Sequence, residues 1–154
     1  MTQDLTVDIA EGRLNIRVAA IIQQDDKILV SQLPNGTISL VGGRVVLGET
    51  TQAAISREVA EETGLIVEAA SLCAMIENYF KYDDTFYHEF LYVYNVTTNT
   101  LEFDQSALDF ESQDILWLPI SESASLQPEI LSDVVRDKRD QILHLVNQEA
   151  NLVS

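Results

Sequence analysis

Residues 42–65 read GGRVVLGETTQAAISREVAEETGL and restrict the fold more than any other stretch. Two adjacent glycines leave the backbone bare where a ligand or another segment can approach. Thr50 or Thr51 then offers a capping hydroxyl, Ala53, Ala54 and Ala60 favour helix, and Gly64 stands where a left-handed residue would end it. The spacing predicts a helix over residues 50–63. On such a helix Glu58, Glu61 and Glu62 fall within an arc of roughly 100°. Like charges at this spacing cost a few tenths of a kcal/mol in water and more when partly buried. One reading is a solvated acidic face, with Arg57 and Glu61 an ordinary i,i+4 ion pair. The sharper reading is a cation site, because carboxylate oxygens are the hard ligands that Mg²⁺ or Mn²⁺ prefers. The bare backbone at Gly42 and Gly43 favours the second.

The surroundings are strand-like. Residues 15–23 (NIRVAAIIQ) and 27–33 (KILVSQL) are apolar and β-branched, with turn residues between them and PNG after them. TISLV and GRVV read as two short strands interrupted by Gly42 and Gly43. Residues 66–80 and 86–96 predict a long hairpin around KYDDT, and residues 114–120 (DILWLPI) one further strand ended by Pro119. Pro128 is expected to open a final helix over residues 128–147, with Ile130, Val134 and Val135 on its apolar side, Ile142, Leu145 and Val146 later along it, and His144 facing solvent. The outcome is an α/β fold, a mixed or antiparallel sheet covered by helices, in a single domain over residues 1–154.

Charge narrows the chemistry. With 25 acidic and 9 basic residues the net charge is −16. Such a surface repels a phosphate backbone or an anionic bilayer, so neither nucleic acid nor membrane is an expected partner. A small phosphorylated substrate meets the same repulsion unless metal cations bridge it to the protein. Cys73 is the single cysteine. It lies in an apolar run, where a buried, inert core residue is the expected role. The N-terminal sequence lacks the pattern of a secretory signal, and no apolar run is long enough to span a bilayer, so the cytoplasm is the expected location.

The order of residues is more specific than the charge. Gly43, five residues, Glu49, seven residues, then Arg57-Glu58-Val59-Ala60-Glu61-Glu62-Thr63-Gly64-Leu65 fills every fixed position of the Nudix box. The chain therefore resembles the Nudix hydrolases, with Val41 replacing the proline that many members carry before the paired glycines. The resemblance implies a Nudix-type α/β/α sandwich, a mixed sheet between helices. It implies that Glu58, Glu61 and Glu62 bind Mg²⁺ (or Mn²⁺), with the Gly43 carbonyl a further ligand. Glu49 and Arg57 match the pair whose salt bridge braces the loop against the helix. In several members a later loop adds a carboxylate six residues before a tryptophan. Glu111 stands in that relation to Trp117, as a candidate metal ligand or general base, with a plain loop glutamate as the other reading. Glu58 is the rival base.

The implied activity is metal-dependent hydrolysis of the phosphoanhydride in a nucleoside diphosphate linked to another moiety. The alternative is an inactive Nudix-fold module that binds nucleotides or regulates. The implied partner is a small nucleotide, and a homodimer is compatible with the resemblance. The downstream proline associated with ADP-ribose hydrolases is absent, while Tyr82 matches, weakly, a tyrosine associated with diadenosine polyphosphates. Tyr82 and its aromatic neighbours Tyr79, Phe80, Phe86 and Tyr87 are otherwise core and edge residues, one or two of which could stack on a base.

Overall fold

The computed structural model describes residues 3–103, 113–137 and 140–149. In chain order these form β1 Thr6–Ile9, β2 Gly12–Ile21, β3 Gln23–Gln24, β4 Lys27–Gln32 and β5 Ile38–Arg44. Helix α1 Thr51–Thr63 follows, then β6 Val67–Tyr82, β7 Thr85–Thr98 and β8 Asp114–Pro119. A 3₁₀ helix Ile120–Ser125, α2 Leu131–Arg136 and β9 Leu143–Gln148 complete the described chain. The strands run in the order β3-β4-β5-β2-β7-β6-β9, with β1 beside β2 and β8 beside β4. Pairs β2–β7 and β6–β9 are parallel and the rest antiparallel, so the sheet is mixed.

Both faces of this sheet are covered, which is why β2 and β4 read as near-continuous apolar runs. Val18, Ala20, Leu29 and Val41 pack against Ala54, Ile55 and Val59 of α1. Their neighbours Ala19, Ile21, Ile28, Val30 and Leu40 point the other way, against Leu126 of the 3₁₀ connection and Leu131, Val134 and Val135 of α2. The expected α/β/α sandwich is what forms. The long hairpin is also as expected. It turns through Asp83 and Asp84, both at positive φ (51° and 63°), the backbone that a two-residue hairpin loop demands.

Two expectations fail. The glycines do not interrupt a strand: β5 runs unbroken through Gly42 and Gly43. What changes there is its partner, from β4 at Ile38–Leu40 to β2 at Val41–Arg44. The terminal helix fails more completely. Among the described residues of that segment only Leu131–Arg136 is α-helical, and Leu143–Gln148 is a strand parallel to β6. Its burial alternates with period two, Leu143 and Leu145 inward and His144 and Val146 outward. The open edge of β6 offers a ladder of backbone partners that a solvent-facing helix would forgo. His144 therefore lies on a strand, its Nε2 2.6 Å from Glu77 Oε2.

Candidate active site

Helix α1 is held at both ends as its residues require. The Thr50 hydroxyl accepts the Ala53 N–H at 3.1 Å, and Gly64 closes the helix at φ 75° with its N–H on the Ala60 carbonyl. The apolar stripe Ala54, Ile55 and Val59 faces the sheet, which turns Arg57, Glu58, Glu61 and Glu62 toward the glycines of β5 and the loop after them.

Arg57 organises the loop side. Its Nε and Nη2 donate to the two oxygens of Glu49 at 2.8 and 2.9 Å, a bidentate pair. Nη2 also donates to the Arg44 carbonyl at 3.0 Å, and Nη1 donates to Glu58 at 2.9 Å and Glu61 at 3.3 Å. Glu49 Oε1 further accepts the Val46 N–H at 3.0 Å. The guanidinium hydrogen bonds hold the Glu49 carboxyl below its ordinary range, and Glu49 in turn raises the pKa of Arg57. The loop from β5 to α1 is thereby tied to the helix by charge-assisted bonds.

The glycines receive the other carboxylates. A Cβ on Gly43 would lie 2.4 Å from the Glu58 carboxyl carbon, so the carboxylate occupies the space a side chain would take. Where β5 leaves β4, the Gly42 N–H is given to Glu62 Oε2 at 3.2 Å. Burial is the main cause that raises the Glu58 carboxyl, against the pull of Arg57. Burial likewise pushes Glu62 up to about 7; the Glu58 charge adds to the rise, and the Gly42 N–H opposes it. Two carboxylates are thus held in one partly dry place with incomplete compensation, an arrangement typical of functional sites. Glu61 differs. Its side chain is 58 % exposed, against 14 % for Glu58, and it meets the others through Arg57.

These are hard oxygen donors around a backbone cradle, a set suited to a divalent cation. Among the described residues no three His, Cys, Asp or Glu side chains close into a metal-sized cage. Each carboxylate instead takes the nearest donor, Arg57 or Gly42. Glu111 lies outside the described residues. Two residues on, Gln113 hydrogen-bonds Glu62, and its Oε1 accepts from the Ser31 hydroxyl at 2.9 Å. Reading the sequence did not find Gln113, nor Arg17, whose charge acts on both Glu58 and Glu62. The available signal for Arg17 was the alternation of β2, in which Arg13, Asn15 and Arg17 share the face that continues as Ala19 and Ile21. Cys73 is partly buried and its thiol is pushed up to about 11 by burial, in keeping with an inert core residue.

A family model, the NUDIX domain, matches residues 13–138. An ADP-ribose pyrophosphatase of Methanocaldococcus jannaschii is 44 % identical over 61 residues, which cover 37 % of this chain and 36 % of that one. The chain spans less than half the length of the curated relatives it matches. Among solved structures, a mutator MutT protein from Bacillus halodurans superposes with a TM-score of 0.69 at 19 % identity, covering 91 % of this chain and 95 % of that one. An ADP-ribose pyrophosphatase from Streptococcus suis gives 0.61 at 20 % identity, over 84 % of this chain and 98 % of that one.

Proposed function

The chain belongs to the Nudix domain family, and we propose that it is a divalent-metal-dependent pyrophosphohydrolase acting on a nucleoside diphosphate linked to a further group. One observation carries the reading: Glu58 and Glu62 lodge side by side against Gly42 and Gly43 with raised pKa values. A fold gains nothing from burying two adjacent carboxylates unless a cation joins them.

Glu58, Glu61 and Glu62 would hold the metal, Mg²⁺ or Mn²⁺, with the Gly43 carbonyl and Glu111 as further donors. The bound ion supplies Lewis acidity and a charge partner for the diphosphate oxygens. The chain's own residues do the rest. Arg57 fixes Glu58 at 2.9 Å and ties the helix to the loop through Glu49, so the donors are placed before the substrate arrives. Gln113, itself oriented by Ser31, fixes Glu62. Glu111 or Glu58 takes the proton from the attacking water, and no covalent nucleophile is required.

For the substrate, the relatives include an ADP-ribose pyrophosphatase, and the MutT likeness is one of fold. The deciding experiment is a panel of ADP-ribose, diadenosine polyphosphates, dinucleotides and ordinary and oxidised nucleoside triphosphates with Mg²⁺ or Mn²⁺. Cleavage at a phosphoanhydride by the wild type, lost in Glu62→Gln, is the expected result. No turnover of any member by the wild type would reject the reading. On the substrate so found, Glu111→Gln should lower kcat by roughly 10²–10⁴-fold with little change in KM if Glu111 is the base. An unchanged kcat assigns the base to Glu58.

A further inference from the structure

The cover of the sheet is incomplete on the α1 side. Helix α1 packs with Val18, Ala20, Tyr94 and Val96, at one end of that face. Strand register carries the same face onward through Leu14 of β2, Phe86 and Phe90 of β7, and Met75 of β6. It reaches Ile9 of β1 on one flank and Val146 of β9 on the other. The opposite face of these strands is buried at Ile76, Asn78, Glu89 and Leu91. This one is not. Ile9 is 56 % exposed, Val146 55 % and Phe86 37 %, and Leu14, Met75 and Phe90 are half-buried.

The polar groups on this uncovered part are few and answer one another. The Tyr79 hydroxyl donates to Glu77 Oε1 at 3.1 Å, and His144 Nε2 lies 2.6 Å from Glu77 Oε2. The Tyr79 ring meets His88 edge-on at 4.6 Å, and His88 lies 5.3 Å from Phe90. Glu77 is the one carboxylate here and Lys81 the one lysine or arginine, in a chain with 25 acidic residues. Between the β1–β2 turn and the β6–β7 hairpin the face sinks into a groove of about 570 Å³. Ile9, Leu14, Phe86 and His88 line it, with Glu11 and Asp84 at the two turns.

Size and charge together select the occupant. Five strands ~4.8 Å apart and a run of roughly six residues at ~3.3 Å each give about 500 Å² in plan, before side-chain relief adds to it. An interface of modest size takes about 600–800 Å² of accessible surface per partner, and a contiguous apolar patch of this extent marks an interaction site. A nucleic acid or a strongly charged peptide needs a block of one sign, and this face has none. A second copy of the chain fits better. Two chains of net charge −16 repel wherever their carboxylates meet, and this patch holds a single carboxylate already bonded by His144 and Tyr79. A two-fold axis sets the patch against itself, apolar side chains on apolar side chains.

We propose that the chain forms a homodimer through this face, with the ridge of Tyr79, His88 and Phe90 and the groove beside it packed against a second copy. The surface leaves out the acidic helix, so the dimer stands or falls apart from the hydrolase reading. The experiment is sedimentation equilibrium of the full chain at tens of micromolar, with a thermal melt of each variant. The wild type should run at twice its 17.2 kDa chain mass. Phe86→Glu and Val146→Glu place a carboxylate where the single chain is already exposed, so both should fold. Each substitution enters a two-fold interface twice, and each should weaken the dimer by roughly 100-fold.

Leu33→Glu adds the same charge at an exposed apolar residue beyond β4, off this face, and should leave the dimer intact. Added salt should tighten the wild-type dimer, because screening relieves the repulsion of two acidic bodies and leaves apolar contact in place. A monomeric wild type would overturn the proposal. So would a dimer that survives both Phe86→Glu and Val146→Glu, one that Leu33→Glu dissociates equally, or one that dissociates as salt is raised.

Discussion

The Glu49–Arg57 brace and the Glu58–Glu62 pair meet within one turn of the same helix, and they treat negative charge in opposite ways. Glu49 gives both oxygens to Arg57 and one of them also to a backbone N–H, and its carboxyl is held low. Glu58 and Glu62 also have donors, yet burial outweighs those donors and both carboxyls rise. A carboxylate compensated in place stabilises the fold as it stands. One kept charged against its surroundings weakens the metal-free fold and is relieved when a cation arrives. The first braces the fold and the second is the proposed metal site, although the same arginine touches both.

The contrast breaks most sharply in activity. Glu62→Gln keeps shape and removes the charge, so kcat/KM on the panel substrate should fall by roughly 10³-fold or more, several kcal/mol of transition-state stabilisation. The metal-free variant should melt at or above the wild-type temperature. Full activity in Glu62→Gln would end the distinction.

The glycines sharpen it next. A Cβ on Gly42 would lie 2.0 Å from the Val18 carbonyl oxygen, a backbone atom, whereas on Gly43 it meets the end of the Glu58 side chain. Gly42→Ala should therefore cost about 3 kcal/mol or more of stability. Gly43→Ala should cost about 1 kcal/mol or less, with kcat falling because Glu58 is displaced. Denaturant titration and kinetics on both variants separate the two.

Arg57→Met removes the brace itself. Glu49 and Glu58 lose their cation in a partly buried place, and about 2–3 kcal/mol should be lost in urea unfolding. The exposed Glu61 contact contributes little to that figure. Metal should act on the pair alone. At ~100 times Kd, Mg²⁺ or Mn²⁺ adds about 2.7 kcal/mol to wild-type stability, and far less to Glu62→Gln. A melting curve unchanged by millimolar metal would contradict the cation site.

The smallest effect is on pH. Glu62 folds with a pKa of about 7 against an ordinary 4.5. The folded state therefore binds the extra proton between those values, and metal-free stability falls as pH rises through that window. Glu49, lowered in the fold, contributes the opposite way: its stability is present above the ordinary carboxylate range and is lost as pH falls through its folded value. Unfolding in chelator from pH 5 to pH 8 should show a fall in the wild type, about 1–3 kcal/mol larger than in Glu62→Gln. Equal slopes in the two proteins would mean that Glu62 is not held up by the fold.

Much of the site was legible because it is local. Gly43, Glu49, Arg57, Glu58, Glu61 and Glu62 lie in one loop and one helix, and helical geometry places them without help from the rest of the chain. Thr50 and Gly64 as caps, the strand after each turn, and the Asp83–Asp84 hairpin are local in the same sense. The terminal segment was misread because Ile142, Leu145 and Val146 were matched to a helical stripe. Its true period, Leu143 and Leu145 inward with Asn147 after them, becomes decisive only when an open sheet edge lies alongside.

By itself, the sequence determined a capped acidic helix beside paired glycines, a sheet buried on both faces, and a complete Nudix box from Gly43 to Leu65. These depend on periodicity, capping and spacing, which act over a few residues. Tertiary structure alone decided that β5 changes partner between Leu40 and Val41 and gives the Gly42 N–H to Glu62. It alone brought Ser31 and Gln113 to that carboxylate, added β9 to the edge of β6, and set Arg17 beside a buried Glu89. Each of those contacts joins segments far apart in the chain, so strand register and depth of burial, not local preference, determine which groups meet.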